Sequence, residues 1–351
     1  MSTPEIGSLT PQALEQALIS LGQPAYRAAQ VFSWIHEKRA QRFAEMTNLP
    51  APLRRELEGR FSLSPVQVES KRESELDGTV KYLFSLPDGE CVEAVLMRYR
   101  HGDSLCISTQ AGCRMGCTFC ASSTLGFSRS LTPWEMLSEV YEAERDSGRK
   151  VGSLVLMGIG EPLDNLENVL AFLALLSHPK GKNLSLRHVT LSTCGLADKI
   201  EELAEKKLQL TLSVSLHAPD DALRGRTMPV NRAYPIPRLM QACRFYEERT
   251  GRRVSFEYAL IAGVNDSLEQ ANALAALLKG TLCHVNLIPV NEVEETGYRH
   301  SGREQVFRFQ RALEGQGIPV TVRRTLGADI EAACGQLRKS RLQAAQSSPG
   351  G

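Results

Sequence analysis

An α/β fold built on a parallel sheet is the architecture this sequence predicts, and two observations carry it. Short apolar runs near residues 105–108, 153–158, 189–192, 210–216, 254–260, 284–288 and 320–323 alternate with stretches of helical period. One of those stretches opens with a complete start signal, Thr132-Pro133-Trp134-Glu135, in which Thr132 and Glu135 form a capping box and Pro133 takes the first turn. Repeated strand-helix units join parallel strands by right-handed crossovers, as an open wound sheet or as a barrel. At 351 residues and 42% apolar content, the chain can bury a full core and is expected to hold one large domain and a small one.

The elements follow in order. From Thr10 to about Leu63 the pattern is helical: Thr10 can cap, Pro11 suits a first turn, and Leu14, Ala17, Leu18 and Leu21 form an apolar stripe that ends at Gly22. A second helix is expected over 25–42, carrying Arg27, Lys38, Arg39 and Arg42, and a third carries Arg54, Arg55 and Arg60. That basic face is either an ordinary solvated one or a surface for a polyanion. Residues 79–99 change to a two-residue beat, with Tyr82, Phe84 and Leu86 before Pro87-Asp88-Gly89 and Val92, Ala94 and Leu96 after it, which reads as a β-hairpin. Residues 343–351 are small and polar and read as a disordered end.

Composition sets limits on function. The net charge is +1, from 41 basic and 40 acidic residues, a balance that neither demands nor excludes nucleic acid. No apolar run approaches the ~20 residues a bilayer span needs, and the N-terminus lacks the layout of a signal peptide. A cytoplasmic location with no membrane association is expected, where the nine cysteines stay reduced unless they bind metal or do chemistry.

Cys113, Cys117 and Cys120 form a CxxxCxxC triplet. Three thiolates on one short loop can hold three irons of a 4Fe-4S cube and leave the fourth iron open. The competing readings are structural zinc, which normally closes four ligands and finds no second CxxC here, and buried small side chains. Barrel enzymes place their chemistry at the C-terminal ends of strands, and the polar residues cluster there: Gly160 and Glu161, then Ser192, then Ser215-Leu216-His217, then Asn291.

The triplet resembles that of the radical S-adenosylmethionine (radical SAM) enzymes, and this implies a partial TIM-like (βα)6 barrel with a small N-terminal helical domain and a β-hairpin extension. The strings Ser104-Leu-Cys106-Ile-Ser-Thr-Gln-Ala-Gly112, Gly126-Phe-Ser-Arg129, Gly160-Glu161-Pro162, Ser215-Leu-His217, Asn286-Leu-Ile-Pro289 and Gly327-Ala-Asp-Ile-Glu-Ala-Ala-Cys334-Gly-Gln-Leu337 are together similar to the RlmN/Cfr methyltransferases. Members of the RlmN type methylate carbon 2 of an adenine in 23S rRNA and of an adenine beside the anticodon in tRNA. The Cfr type methylates carbon 8 with the same motif residues, so the motifs leave both open and overall similarity favours the first.

The resemblance implies the following roles. Cys113, Cys117 and Cys120 hold the cluster, whose open iron takes an exchangeable SAM. Gly160, Glu161, Ser192, Ser215, Leu216, His217 and Asn291 hold that SAM, one of two used per turnover. Cys334 carries a methyl group, and Cys106 releases the product through a transient disulfide with it. Glu93 accepts a proton, although an exposed carboxylate on an edge strand is the ordinary reading of its pattern. Cys91, Cys194, Cys243 and Cys283 read as buried small side chains. Arg224, Arg226 and Arg232, with Tyr298, Arg299 and His300, could touch phosphates and stack bases, or could be solvated loop residues. The implied domains are a 1–70 RNA-binding accessory domain, a 71–100 linker and hairpin, a 101–340 catalytic domain and a 341–351 tail. The implied partners are 23S rRNA, tRNA and an electron donor such as flavodoxin or ferredoxin, acting on a monomer.

Overall fold

The computed structural model describes residues 3–289, 297–330, 337–338 and 341. Strands β1 (Gln67–Glu73), β2 (Val80–Ser85), β3 (Cys91–Tyr99) and β4 (Gly102–Cys106) pair antiparallel in succession. From β4 onward every pairing within this sheet is parallel, through β7 (Val151–Leu156), β8 (Val189–Thr193), β9 (Thr211–Ser215), β10 (Val254–Leu260), β11 (Cys283–Pro289) and β12 (Val320–Val322). These form one sheet in the order β1-β2-β3-β4-β7-β8-β9-β10-β11-β12, while β5 (Gln110–Gly112) and β6 (Phe127–Ser130) make a separate antiparallel ribbon. Helices α1 (Pro11–Ser20), α2 (Tyr26–His36) and α3 (Ala51–Arg60) precede the sheet. Helices α4 (Pro133–Ser147), α5 (Leu166–Ser177), α6 (Ala197–Glu205), α7 (Asp221–Thr227), α8 (Ile236–Thr250), α9 (Leu268–Leu278) and α10 (Arg303–Glu314) lie between the parallel strands. The result is a partial (βα)6 barrel with β12 as a further parallel strand.

Local chemistry accounts for the predicted starts. The Thr10 hydroxyl accepts from the Ala13 N–H at 3.2 Å, and at α4 both halves of the capping box form. The hairpin register pairs Tyr82 with Ala94 and Phe84 with Val92, as the two-residue beat requires. The second helix is shorter than its expected 25–42 span. After His36 the Lys38 N–H turns back to the Ser33 carbonyl and the Ala40 N–H to the Trp34 carbonyl, with Arg39 at φ +57° between them. β1 was not legible in the sequence, since Gln67-Val-Glu-Ser-Lys-Arg-Glu73 has no apolar beat and is largely exposed on the sheet's edge.

One continuous apolar core runs from Leu14, Val31 and Phe32 in the N-terminal helices to Leu154, Leu191 and Val214 in the barrel strands. α4 is the joint between them: the Trp134 indole N–H donates to the Ser64 carbonyl at 3.1 Å, and Glu144 pairs with Arg39 at 2.5 Å. Arg39 is thereby held half-buried against α4, whereas Lys38, Arg42, Arg55 and Arg60 remain exposed. Among the described residues no helix is long and apolar enough to cross a membrane.

Candidate active site

The backbone leaving β4 builds the site. Past Cys106 it stays beside β7, the Ile107 N–H donating to the Val155 carbonyl at 3.1 Å. The Ser108 hydroxyl donates to the Glu93 carbonyl at 2.7 Å and accepts from the Ile159 N–H at 3.0 Å. β5 and β6 then hold the two ends of the cysteine loop together. Gly112 sits in this ribbon at φ +89°, where a Cβ would lie 1.9 Å from the Gly126 carbonyl oxygen, and the next N–H, of Cys113, donates to that carbonyl at 3.1 Å. Inside the loop the Ser123 hydroxyl and the Cys120 N–H both reach the Cys117 carbonyl, and the Thr118 N–H fastens the loop to the Thr227 carbonyl of α7 at 2.9 Å.

Cys113, Cys117 and Cys120, all half-buried, line one cavity of about 300 Å3. Burial, with the neighbouring thiolates adding to it, pushes the Cys113 thiol up to about 11 and the Cys117 thiol up to about 12. Three thiolates at this place therefore call for a cationic core to bind, which an iron-sulfur cube supplies. Among the described residues no three His, Cys, Asp or Glu side chains converge on a site for a single metal ion. The ligands of a cube each hold a different iron, so the donor set fits that group without such convergence.

Gly160, Glu161, Ser192, Ser215 and His217 line the same cavity. Gly160, at φ +109°, owes its lack of a side chain to packing: a Cβ would come within 2.6 Å of the Gln110 Cβ. The Glu161 carboxylate is buried and accepts the Leu163 N–H at 3.0 Å and the Cys194 N–H at 2.7 Å. Burial raises its proton affinity and these backbone donors lower it again. His217 takes φ +55°, and its Nδ1 accepts the Ala259 N–H at 2.9 Å, which leaves the ring proton on Nε2. Burial holds this imidazole neutral, down to about 3. Leu216 is fully buried behind the wall and does not line the cavity. Asn291 lies outside the described residues.

Two of the lining residues that sequence reasoning missed bear on the site's chemistry. Cys194, read as an apolar filler, lines the cavity and gives its N–H to Glu161. Glu257, a carboxylate inside the apolar run of β10, accepts the Ser213 hydroxyl at 2.6 Å and the Asn286 amide at 2.9 Å. It lines both this cavity and a second one of about 460 Å3 among the barrel strands. Its signal was the lone charge in Val254-Ser-Phe-Glu257-Tyr-Ala-Leu260.

Glu93 and Cys106 lie together on a neighbouring face. Cys106 is buried opposite Val95 in the β3–β4 register and packs with Val95 and Met97, on the face Glu93 shares two residues away. β3 is flanked on both sides, so Glu93 is not an exposed edge carboxylate; it is 1% exposed and lies 3.3 Å from the Lys81 ammonium. Cys334 lies outside the described residues, but the chain is anchored on either side of it in sequence. Before it, Asp329 accepts the Ser74 hydroxyl at 2.6 Å and the Gly327 N–H donates to Asp77 at 2.8 Å. After it, Leu337 packs on Leu83 and Cys91, and the Arg338 N–H donates to the Glu93 carboxylate at 2.8 Å.

The basic residues of the 224–234 segment divide. Arg224 is buried and spends its guanidinium on backbone carbonyls, so it is no phosphate contact, while Arg226 and Arg232 are exposed. Tyr298 brings its hydroxyl within 3.0 Å of the Thr118 hydroxyl on the cysteine loop.

Two family models match the chain: the Radical SAM superfamily over residues 107–275, and the Ribosomal RNA large subunit methyltransferase N-terminal domain over residues 5–63. A probable dual-specificity RNA methyltransferase RlmN from Pelotomaculum thermopropionicum is 52% identical over 335 residues, covering 95% of this chain and 91% of that protein. One of the same name from Bacillus subtilis is 48% identical over 343 residues, covering 97% and 94%. Among solved structures, a radical SAM methyltransferase from Sphaerobacter thermophilus superposes with a TM-score of 0.90 at 43% identity, covering 95% of this chain and 98% of that one.

Proposed function

This chain belongs to the RlmN family of radical SAM RNA methyltransferases, and from that membership we propose that it methylates carbon 2 of an adenine in 23S rRNA and of an adenine beside the anticodon in tRNA. The observation that carries the reading is the cavity shared by three loop thiols and the Gly160-Glu161, Ser192 and Ser215-to-His217 strand ends, next to a face bearing Glu93 and Cys106. Cys113, Cys117 and Cys120 would hold the cluster, and Glu161, Ser192, Ser215, His217 and Asn291 would hold SAM. When bound, that pair supplies a 5′-deoxyadenosyl radical, from one electron delivered by a donor such as flavodoxin or ferredoxin.

The chain's own residues carry the methyl group. Carbon 2 of adenine is electron-poor and bears a hydrogen, so it does not attack a sulfonium methyl directly. The Cys334 thiolate first accepts a methyl by displacement. Loss of one hydrogen atom from that methyl leaves a carbon that bonds to carbon 2, and the RNA is then joined to Cys334 through a thioether. Glu93 takes the proton from carbon 2 as the adduct gives up its unpaired electron, which would return to the bound cluster that supplied it. The Cys106 thiolate attacks the Cys334 sulfur; the carbon–sulfur bond breaks to the RNA side, which takes up a proton, and a Cys106–Cys334 disulfide remains for reduction.

The exposed Arg42, Arg55 and Arg60 support the N-terminal helices, residues 1–70, as an accessory RNA-binding domain beside a 101–340 catalytic domain. The test is an anaerobic assay of reconstituted enzyme with rRNA fragments and tRNA, read by nucleoside mass spectrometry. The expected product is 2-methyladenosine, and Cys334→Ala should keep its cluster and its SAM cleavage but lose RNA turnover. An 8-methyladenosine product would overturn the carbon-2 assignment, and unchanged turnover in Cys334→Ala would overturn the methyl carrier.

A further inference from the structure

Arg224 is a full positive charge sealed into the barrel wall. It is 0% exposed, and among the described residues its hydrogen-bond partners are neutral: Nε donates to the Leu216 carbonyl at 3.2 Å, Nη1 to the Asn231 side-chain oxygen at 2.9 Å and the Tyr234 carbonyl at 3.4 Å, and Nη2 to the carbonyls of Cys194 at 2.6 Å and Ser215 at 3.2 Å. Among the described residues no carboxylate forms an ion pair with it. A guanidinium stays charged in proteins, and an interior charge held by dipoles alone is costly unless an opposite charge stands nearby. Burial indeed lowers its proton affinity, and the groups that work against this are first the thiols of Cys194 and Cys117 and then the Asp221 carboxylate, which is not paired with it and accepts the Ile236 N–H at 2.7 Å.

Its position says what that opposite charge is. Cys194, whose carbonyl receives Nη2, lines the same cavity as Cys113, Cys117 and Cys120. The helix that carries Arg224 also holds the cysteine loop, through the Thr118 N–H on the Thr227 carbonyl at 2.9 Å. Three thiolates outweigh the charge of an oxidised 4Fe-4S core, so the ligated cluster is an anion, and reduction by one electron adds a further negative charge with no proton required.

We propose that Arg224 is the fixed counter-charge of the thiolate-ligated cluster and raises its reduction potential, so that a one-electron donor can reduce it. This rests on the reading that Cys113, Cys117 and Cys120 hold the cluster. A cation in a low-dielectric wall favours the more negative, reduced form, and nearby charge and hydrogen bonding are among the factors that set cluster potentials. The same guanidinium ties together the C-terminal ends of β8 and β9, whose Ser192 and Ser215 line the cavity, so one residue fixes both the shape and the field of that wall.

The experiment is a dithionite titration of the reconstituted holoenzyme with redox mediators, followed by electron paramagnetic resonance, with iron and sulfide measured on each sample. Arg224→Gln removes the charge, Arg224→Lys keeps it, and Asn231→Asp sets a carboxylate on Nη1 at the expense of one hydrogen bond to the Asp221 carbonyl. The midpoint of the loaded cluster should move to more negative potential in Arg224→Gln and Asn231→Asp, and stay close to the parent in Arg224→Lys. Failure of the two charge-neutralising variants to load a cluster that Arg224→Lys still loads supports the same conclusion. A parent-like midpoint in loaded Arg224→Gln or Asn231→Asp overturns it, and so does loss of loading in all three, which would make Arg224 a hydrogen-bonding strut only. Absence of a cluster from the parent protein itself would instead refute the three-cysteine site.

Discussion

Lys81 and Glu93 face each other across β2 and β3 with both side chains 0% exposed and their charges 3.3 Å apart. Two ions in such a place repay their desolvation chiefly as a pair, so removing Lys81 takes away the cation 3.3 Å from a buried carboxylate that otherwise keeps the neutral Arg338 N–H at 2.8 Å. Lys81→Met should therefore lower stability by about 3–5 kcal/mol, read as a fall in the denaturation midpoint. The exposed pair Arg308–Glu304, at 59% and 77% side-chain exposure, is the control, and Arg308→Ala should cost under about 1 kcal/mol. A Lys81→Met variant as stable as Arg308→Ala would show that the buried pair contributes nothing. Neither residue looked special in sequence, because alternation tells which residues share a face but not whether both faces are covered. Glu93 was legible only through family resemblance, and Arg224 was misread as a loop cation for the same reason: burial is decided by distant chain segments. Cys113, Cys117 and Cys120 were legible because their spacing is itself the chemical signal.

Elements with local signals could be read, and those that depend on a neighbour could not. The start of α4 is written in four residues, and its Glu135 does double duty, accepting the Thr132 N–H at 2.9 Å and pairing with Arg129 at 2.7 Å. Arg129 belongs to β6, so the helix start also steadies the ribbon that frames the cysteine loop. β1 forms because β2 offers an unpaired edge, a fact absent from the β1 residues themselves. The β5–β6 ribbon is likewise too short to announce itself, although Gly112 was visible at the head of the cysteine motif. Its glycine is a geometric necessity, since the left-handed backbone alone costs an L-residue about 1–2 kcal/mol and the Gly126 carbonyl leaves no room for a Cβ. Gly112→Ala should therefore displace the Cys113 end of the loop. Iron and sulfide bound after reconstitution should fall well below the parent while far-UV circular dichroism stays unchanged. Full loading in that variant would mean the loop does not depend on the ribbon.

At the scale of the whole molecule, the N-terminal helices and the barrel share one core, and a buried histidine lies in that joint. His36 packs with its ring centroid 4.3 Å from Phe32 and 6.4 Å from Tyr141 of α4. Burial, and secondarily the charge of His178, lowers its proton affinity to about 3, so it is neutral in the folded protein at any working pH. His217, in the cavity wall, is lowered to about 3 by burial in the same way. The unfolded chain binds these protons near 6.5, and a group that binds its proton more readily when unfolded adds stability that rises with pH. The contribution is complete above about 6.5 and is lost as pH falls from there toward 3, amounting to about 2 kcal/mol per histidine by pH 5. Buried Glu139 acts with the opposite sign, because burial raises its proton affinity and its stabilising, protonated form is lost as pH rises. Comparing the parent with His36→Gln cancels the Glu139 slope, which both share. Melting temperatures taken from pH 8 to pH 5 should fall more steeply for the parent than for His36→Gln, so that the parent-minus-variant difference decreases toward acid whatever its value at pH 8. Parallel curves would mean that His36 keeps its solution proton affinity, and hence that the joint between the N-terminal helices and α4 admits water.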